Sequence, residues 1–167
     1  MKFHRRSLDF GTRAMQSLKT RIPPPVVALA VGGLMKLYAW TFQVPIDASP
    51  VLADVGIAIA QISAVIALLA FASFGLARTT INPRAPARAT VLVTGGIFRV
   101  TRNPLCLSLL LLLVAYAVRL GSWVEWLGPV LFAVYVTRFQ IVPEEEILAQ
   151  KFGAAFLAYK SRTRRWL

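Results

Sequence analysis

The stretch LADVGIAIAQISAVIALLAFASFGLA, residues 52–77, decides the fold class because its only charged residue is Asp54. Crossing the roughly 30 Å hydrocarbon core of a bilayer takes about 20 predominantly apolar residues in a helix. This stretch meets that requirement with residues to spare. It therefore predicts a transmembrane helix.

Three further apolar stretches have the composition of membrane spans: residues 25–44, 105–120 and 123–139. The first is long enough to cross, whereas the last two are close to the lower limit of about 17 residues and predict a short, tilted hairpin around Gly121. Hydrophobic residues make up 57% of the chain, and the mean hydropathy is +0.63. We expect an all-α fold, an integral membrane bundle of about four transmembrane helices.

The charged residues predict the orientation of this bundle. The net charge is +12, and nearly all the lysines and arginines lie in the gaps between apolar stretches: residues 1–22, 78–102 and the carboxyl-terminal tail. Basic loops face the cytoplasm, so we expect an even number of crossings, with both termini inside and the protein in the inner (plasma) membrane. Because the charge does not gather on one soluble face, a nucleic-acid partner is not expected.

The chain is expected to form a single membrane domain over residues 1–167, with a basic cytoplasmic tail at 1–22 and the first two helices within 23–77. Its one cysteine, Cys106, and one histidine, His4, give no disulfide framework and no multi-ligand zinc site. Gly56, Ala60 and Ala64 recur every four residues and predict a face on which another helix packs closely.

A long loop, residues 78–101, joins the second and third apolar stretches and contains turn-forming residues such as Asn82-Pro83 and Gly95-Gly96. Loops of this length are usually functional or disordered. Apolar residues at 91–93 and 97–98 favour a folded lid against the membrane face.

Two helix starts near this lid carry charge, and each permits two interpretations. At the first, Asn103 can cap the helix and Pro104 suits its first turn. The same amino terminus, beside Arg99 and Arg102, would also suit a carboxylate or phosphate. At the second, residues 144–146 are glutamates that follow Pro143, and they either oppose the helix dipole or face a polar ligand.

Beyond the glutamates, apolar residues recur at helical spacing and predict an amphipathic helix on the cytoplasmic surface. These residues are Leu148, Phe152, Ala155, Phe156 and Tyr159. Trp166 is expected in the headgroup region, and the basic tail is expected to bind anionic lipids of the bilayer.

Four motifs occur in a fixed order: TTINP at 79–83, LVTGGIFRVTRNP at 92–104, PEEEILAQKFG at 143–153 and YKSRTRRW at 159–166. Together they resemble the isoprenylcysteine carboxyl methyltransferase family and the related phospholipid N-methyltransferases. The resemblance covers roughly the second half of the chain, and the first two helices carry no comparable signature.

This resemblance implies an integral membrane methyltransferase that binds S-adenosylmethionine without a soluble Rossmann domain, through residues 78–167. The cofactor-binding residues it implies are Gly95, Gly96, Arg102, Asn103, Pro104, Glu144 and Glu145. Arg99 and Arg102 would position the acceptor as catalytic residues. Phe98, Cys106, Ser108, Tyr159 and Arg162 would contact a lipophilic methyl acceptor.

The chain departs from the family pattern at Cys106, where relatives commonly have an aromatic residue, and at Ser108, where they commonly have glycine. No neutral histidine or isolated carboxylate stands ready as a general base, since His4 lies in the distal tail, although a glutamate that is not used for the cofactor could take a proton. An anionic acceptor needs no base, so O-methylation of a carboxylate is favoured. The alternatives are phospholipid amine N-methylation, an NADPH-dependent membrane reductase whose nucleotide the arginines would hold, and a non-enzymatic membrane scaffold.

Overall fold

A computed structural model of the chain describes residues 22–44, 49–76 and 91–167. The predicted amino-terminal tail, the Asp47 loop and the first part of the predicted lid lie outside these residues. In the described part, all regular elements are helices, apart from one isolated β-bridge between Thr101 and Arg164. The all-α prediction is therefore confirmed.

Six α-helices are present in the described residues: α1 Pro24–Thr41, α2 Pro50–Leu76, α3 Pro104–Leu120, α4 Leu127–Val136, α5 Val142–Phe152 and α6 Ala154–Arg162. Short 3₁₀ helices at Gly96–Arg99 and Trp123–Trp126 precede α3 and α4. A π-helical segment, Thr137–Ile141, joins α4 to α5.

Helices lie at all four positions predicted to cross the membrane. Two of them have the length and hydropathy of a membrane span: α2, with 27 residues, and the continuous helical run Trp123–Phe152, with 30. The apolar helix α3 has 17 residues, a length of about 26 Å at 1.5 Å per residue. The number of crossings therefore stays a prediction.

The predicted end of the fourth span is wrong. The chain stays helical past Phe139 and Pro143 as far as Phe152. Proline lacks a backbone N–H and clashes with the carbonyl one turn earlier, so it normally breaks a regular helix. Here the π-helical segment precedes Pro143, and its wider turn accommodates the proline without ending the run.

Helix α3 is the centre of the bundle, because α1, α2 and α4 all pack against it. Its approach to α2 is close at Gly56, where an added Cβ would lie 3.2 Å from the carbonyl oxygen of Ala115. The predicted four-residue face is only partly correct, since Ala64 is exposed. The buried positions of α2 are Gly56, Ser63 and Ala70, which follow a seven-residue spacing.

The predicted amphipathic helix is instead two helices, because α5 ends at Gly153. The φ of Gly153 is +50°, a conformation that residues with a Cβ rarely adopt. The chain turns there, so that Phe156 and Tyr159 of α6 pack with Phe98 in a second small core. Ala155 is exposed, which removes it from the predicted apolar face.

The carboxyl-terminal tail folds back on the bundle. The N–H of Arg102 donates to the carbonyl of Arg164 at 3.0 Å, within the bridge between Thr101 and Arg164. Trp166 packs against the main core of α1, α3 and α4. Trp166 is thus half-buried against the bundle, and its position in the headgroup region stays a prediction.

Candidate functional site

A cavity of about 450 Å³ lies where the amino-terminal ends of α1 and α3 meet α5, α6 and the carboxyl-terminal half of α2. Its walls are mostly apolar, with side chains such as Phe71 and Phe74 of α2 and Leu105 and Leu109 of α3. Its polar lining residues are Arg102, Asn103, Ser108, Gln140, Glu144, Glu145 and Tyr159. The cavity thus joins a charged end to an apolar compartment.

Three cations surround the carboxylate of Glu145. Arg102 Nη1 lies 3.2 Å from Oε1, and Lys160 Nζ lies 3.6 Å from Oε2. Arg165 donates two hydrogen bonds, from Nε to Oε1 at 3.0 Å and from Nη2 to Oε2 at 2.9 Å. These bonds raise the pKa of Arg165 above its usual value. Glu145 therefore holds the tail and Arg102 in place.

Arg102 retains unused hydrogen-bonding capacity. Its side chain is 9% exposed, yet Nε is buried without a hydrogen-bond partner in the described part of the chain. A buried guanidinium nitrogen left unpaired costs stability unless a ligand satisfies it. Because the residue lines the cavity, its environment favours an anionic group there.

Glu144 differs from its neighbour. It lines the cavity, but within residues 22–44, 49–76 and 91–167 it makes no hydrogen bond or ion pair. Adjacent residues on a helix point in different directions, so only one of the two lining glutamates reaches the three cations. The cavity therefore offers both an unpaired carboxylate and a partly unpaired guanidinium.

Asn103 does not cap α3 with its side chain, so that prediction is wrong. Its Nδ2 instead donates to the carbonyl of Arg165 at 3.1 Å, and the hydroxyl of Thr101 donates to the same carbonyl at 3.2 Å. The amide nitrogen thus points to the returning tail, whereas a cap would need the side-chain oxygen to accept a backbone N–H of the first turn. Pro104 does occupy the first turn of the helix, as its fixed φ predicts.

Tyr159 joins the elements that form another wall of the cavity. Its hydroxyl donates to the carbonyl of Phe98 at 2.7 Å, and burial raises its pKa to about 12 despite the opposing effect of Arg102. The ring of Phe98 packs edge-on against Phe74 with 5.1 Å between centroids. The lid, α2 and α6 thus meet at these three aromatic residues.

The two positions that depart from the family pattern both line the cavity. Cys106 and Ser108 are buried in the first turns of α3. The hydroxyl of Ser108 donates to the carbonyl of Leu105 at 2.8 Å, while Ser63 donates to the carbonyl of Ser108 at 2.7 Å. Ser108 therefore also lies at the contact between α2 and α3.

Four predicted site residues lie outside the cavity lining: Gly95, Gly96, Arg99 and Arg162. The side chains of Arg99 and Arg162 are exposed, and Arg162 donates from Nε to the carbonyl of Ala158 at 3.2 Å. Gly96 has a φ of +59°, and an added Cβ would lie 2.7 Å from Ser73 Oγ. The structure brings the other nine predicted residues to the cavity, and the roles of all thirteen stay predictions.

Sequence reasoning missed Gln140 and Arg165. Arg165 stands within the YKSRTRRW motif, but its pairing with Glu145 depends on the folded-back tail. Gln140 lines the cavity, is 4% exposed and has a buried Nε2 without a hydrogen-bond partner among the described residues. The sequence signal for it was a polar residue four positions before Glu144, near the end of an apolar run.

Comparisons with known proteins identify the family of the chain. The sequence model of the family described as phospholipid methyltransferase matches residues 52–155, more than half of the chain. An uncharacterised protein of Haemophilus influenzae is 46% identical over 61 residues, which are 36% of this chain and 97% of that protein. No solved structure matches. With α2 and the run Trp123–Phe152, the match supports a membrane methyltransferase. The chain belongs to the phospholipid methyltransferase family.

Proposed function

We propose that this protein transfers the methyl group of S-adenosylmethionine to the carboxylate of a lipophilic acceptor at the cytoplasmic face of the membrane. The observation that carries the proposal is the cavity itself. At its charged end, Arg102 has an unpaired Nε and Glu144 has a carboxyl group without a partner among the described residues, and this end opens into an apolar compartment. A charged methyl donor and a lipid-soluble acceptor need these two environments side by side.

The charged end suits the amino-acid part of S-adenosylmethionine. Arg102, with its unpaired Nε, would hold the carboxylate of that part, and Glu144 would hold its ammonium group. Glu145 keeps Arg102 in position and is not available itself, because three cations surround it. The volume of about 450 Å³ lies within the usual range of small-molecule sites, roughly 300 to 1,000 Å³.

When bound, S-adenosylmethionine supplies the methyl group, which forms a bond to an acceptor oxygen as its bond to sulfur breaks and that electron pair stays on sulfur. The residues of the chain align the reactants and exclude water. Alignment alone can lower the barrier of a reaction between two molecules by roughly 7 to 11 kcal/mol. The apolar walls, with Phe71, Leu105 and Leu109, also strengthen every electrostatic interaction in the cavity.

The apolar walls favour a carboxylate acceptor. Transfer from a sulfonium to a carboxylate turns two opposite charges into two neutral groups, and an apolar environment favours the loss of charge. Transfer to an amine leaves a cation in the same environment. A carboxylate also needs no general base, since it is already anionic at neutral pH.

Phospholipid amine N-methylation is the second candidate. The unpaired carboxylate of Glu144 favours it, because a carboxylate in the cavity can bind an ammonium headgroup and accept its proton. The name of the family points to the same class of acceptor. In this alternative Glu144 acts on the acceptor, whereas in the main proposal it holds the cofactor.

The exposed faces of α1 and α2 support a position within the membrane. Large apolar side chains are exposed along both helices, including Leu29, Leu34, Leu68 and Phe71. Such faces suit lipid rather than water. The described basic residues around the cavity, among them Lys151, Lys160 and Arg164, support a cytoplasmic site by the positive-inside rule.

Radiolabelled methyl transfer tests the proposal. The purified protein is incubated with methyl-labelled S-adenosylmethionine and a total membrane lipid extract, and the lipid fraction is then treated with mild alkali. A carboxyl methyl ester releases its label as volatile methanol, whereas an N-methylated lipid retains it. Alkali-stable label would support the second candidate. A protein that binds S-adenosylhomocysteine but labels no lipid would contradict both.

A further inference from the structure

Gln140 is a buried polar residue for which neither the family resemblance nor the proposed cofactor contacts provide a role. It stands in the π-helical segment Thr137–Ile141, is 4% exposed and lines the cavity. Its Nε2 is buried without a hydrogen-bond partner in the described residues. Leaving an amide donor buried and unpaired destabilises the free protein, so a ligand that pairs with it would remove this cost.

Most other polar groups of the cavity already have partners. The hydroxyl of Tyr159 donates to Phe98, Asn103 donates to the tail, and the hydroxyl of Ser108 donates to its own helix. Glu145 is surrounded by cations. The unpaired Nε of Arg102 suits the carboxylate of the methyl donor, and the carboxyl group of Glu144 suits its ammonium group. Gln140 remains as an uncharged donor for a second molecule.

The position of Gln140 suits the acceptor. It precedes Glu144 by four residues on one continuous helical run, and both side chains line the cavity. The turn that contains Gln140 is the one nearer the apolar helix α4, Leu127–Val136. Gln140 thus lies between the charged end of the cavity and the membrane-embedded part of the bundle.

We propose that Gln140 binds the polar head of the methyl acceptor, by donating a hydrogen bond from Nε2 to an oxygen of the acceptor carboxylate. The assignment rests on the proposed methyl transfer and names the residue that recognises the acceptor. The π-helical turn accounts for the position of Gln140 in the cavity wall, because it shifts the register of the helix just before Pro143. An amide donor holds a carboxylate without the strong ion pair that would weaken the oxygen as a nucleophile.

The test compares Gln140→Met with Gln150→Met, the same substitution at an exposed position of α5. Methionine keeps the length and approximate volume of glutamine but removes the donor. Label transfer is measured against the concentration of the total membrane lipid extract. Binding of S-adenosylhomocysteine is measured by calorimetry, and thermal unfolding is followed in detergent. A third variant, Gln140→Glu, places a negative charge against the acceptor.

We expect Gln140→Met to raise the apparent KM for the lipid extract about tenfold, with an unchanged Kd for S-adenosylhomocysteine and an unchanged or higher Tm. Gln140→Glu should lose more activity than Gln140→Met, and Gln150→Met should match the wild type. The assignment fails if Gln140→Met behaves like Gln150→Met, if the Kd rises in parallel with KM, or if the Tm falls.

The activity of the wild-type protein distinguishes a failure of the proposed methyl transfer from a failure of the role assigned to Gln140. If it labels lipid and Gln140→Met does so equally well, only the role of Gln140 is overturned. If wild type labels no lipid, the proposed function fails and the assignment of Gln140 fails with it.

Discussion

Arg102 and Glu145 form an ion pair, with 3.2 Å between Nη1 and Oε1, and each side chain is only 9% exposed. The pair joins the start of α3 to the start of α5, while Arg165 adds the carboxyl-terminal tail to the same carboxylate. The neighbouring Glu144 also lines the cavity but makes no ion pair among the described residues. Two adjacent glutamates therefore have different tasks, one structural and one open to a ligand.

Replacing each glutamate by glutamine should separate these tasks. Glu145→Gln leaves the buried guanidinium of Arg102 without its countercharge, and we expect a loss of about 3 kcal/mol in the free energy of unfolding. Glu144→Gln removes no ion pair within the described residues and should change the Tm little while weakening S-adenosylhomocysteine binding. Thermal unfolding in detergent, with and without that ligand, measures both. If Glu145→Gln and Glu144→Gln lose the same stability, the two glutamates do not have the different roles described above.

Gly96 and Gly95 offer a matched pair for the backbone of the lid. Gly96→Ala forces a φ of +59° on alanine and brings its Cβ against Ser73 Oγ, so we expect a loss of roughly 1 to 2 kcal/mol in stability. Gly95 has a φ of −96° and open space around an added Cβ, so Gly95→Ala should cost much less. The difference in Tm between the two variants checks this. If Gly95→Ala is as unstable as Gly96→Ala, the described backbone conformation at Gly96 is contradicted.

Tyr159 predicts a pH dependence of stability at alkaline pH. Burial raises its pKa to about 12, whereas an unfolded tyrosine titrates near 10. The folded protein holds the proton more tightly, so this contribution is complete below about pH 10 and disappears as the pH rises towards 12. The Tyr159→Phe variant lacks this pH-dependent contribution to stability, and it also leaves the Phe98 carbonyl without its hydrogen-bond donor.

Unfolding measured from pH 9 to 11.5 should therefore show the stability difference between wild type and Tyr159→Phe shrinking as the pH rises. Tyr38→Phe, near the far end of α1, corrects for the general effect of alkali. If the stability difference between wild type and Tyr159→Phe stays constant from pH 9 to 11.5, the buried hydroxyl does not cause the pH dependence.

The positions of the helices could be predicted from the sequence because apolar runs in a membrane leave the backbone little choice. Pro104 and Gly121 also mark the ends of α3 by their own conformational limits, a fixed φ and a left-handed φ of +71°. The end of the fourth helix could not be predicted in this way. Whether Pro143 stops a helix depends on a π-helical turn before it, which the local pattern does not encode.

The sequence predicted which residues belong to the candidate site better than it predicted which of them contact each other. The motifs named Arg102, Glu144 and Glu145, but an order of motifs does not say which glutamate meets which cation. Which cations meet which glutamate depends on the tail, which is held by the backbone hydrogen bond from the N–H of Arg102 to the carbonyl of Arg164. Gln140 escaped notice for a related reason, since only packing shows that its amide is buried and unpaired.

The most direct test of the central claim is the binding of S-adenosylhomocysteine and of NADPH to the purified protein in detergent, measured by calorimetry. We predict that S-adenosylhomocysteine binds and NADPH does not. Arg102→Lys keeps the charge but loses Nε, and should weaken binding at least about tenfold, whereas Arg138→Lys, at an exposed position, should not. Binding of NADPH without binding of S-adenosylhomocysteine would contradict the account.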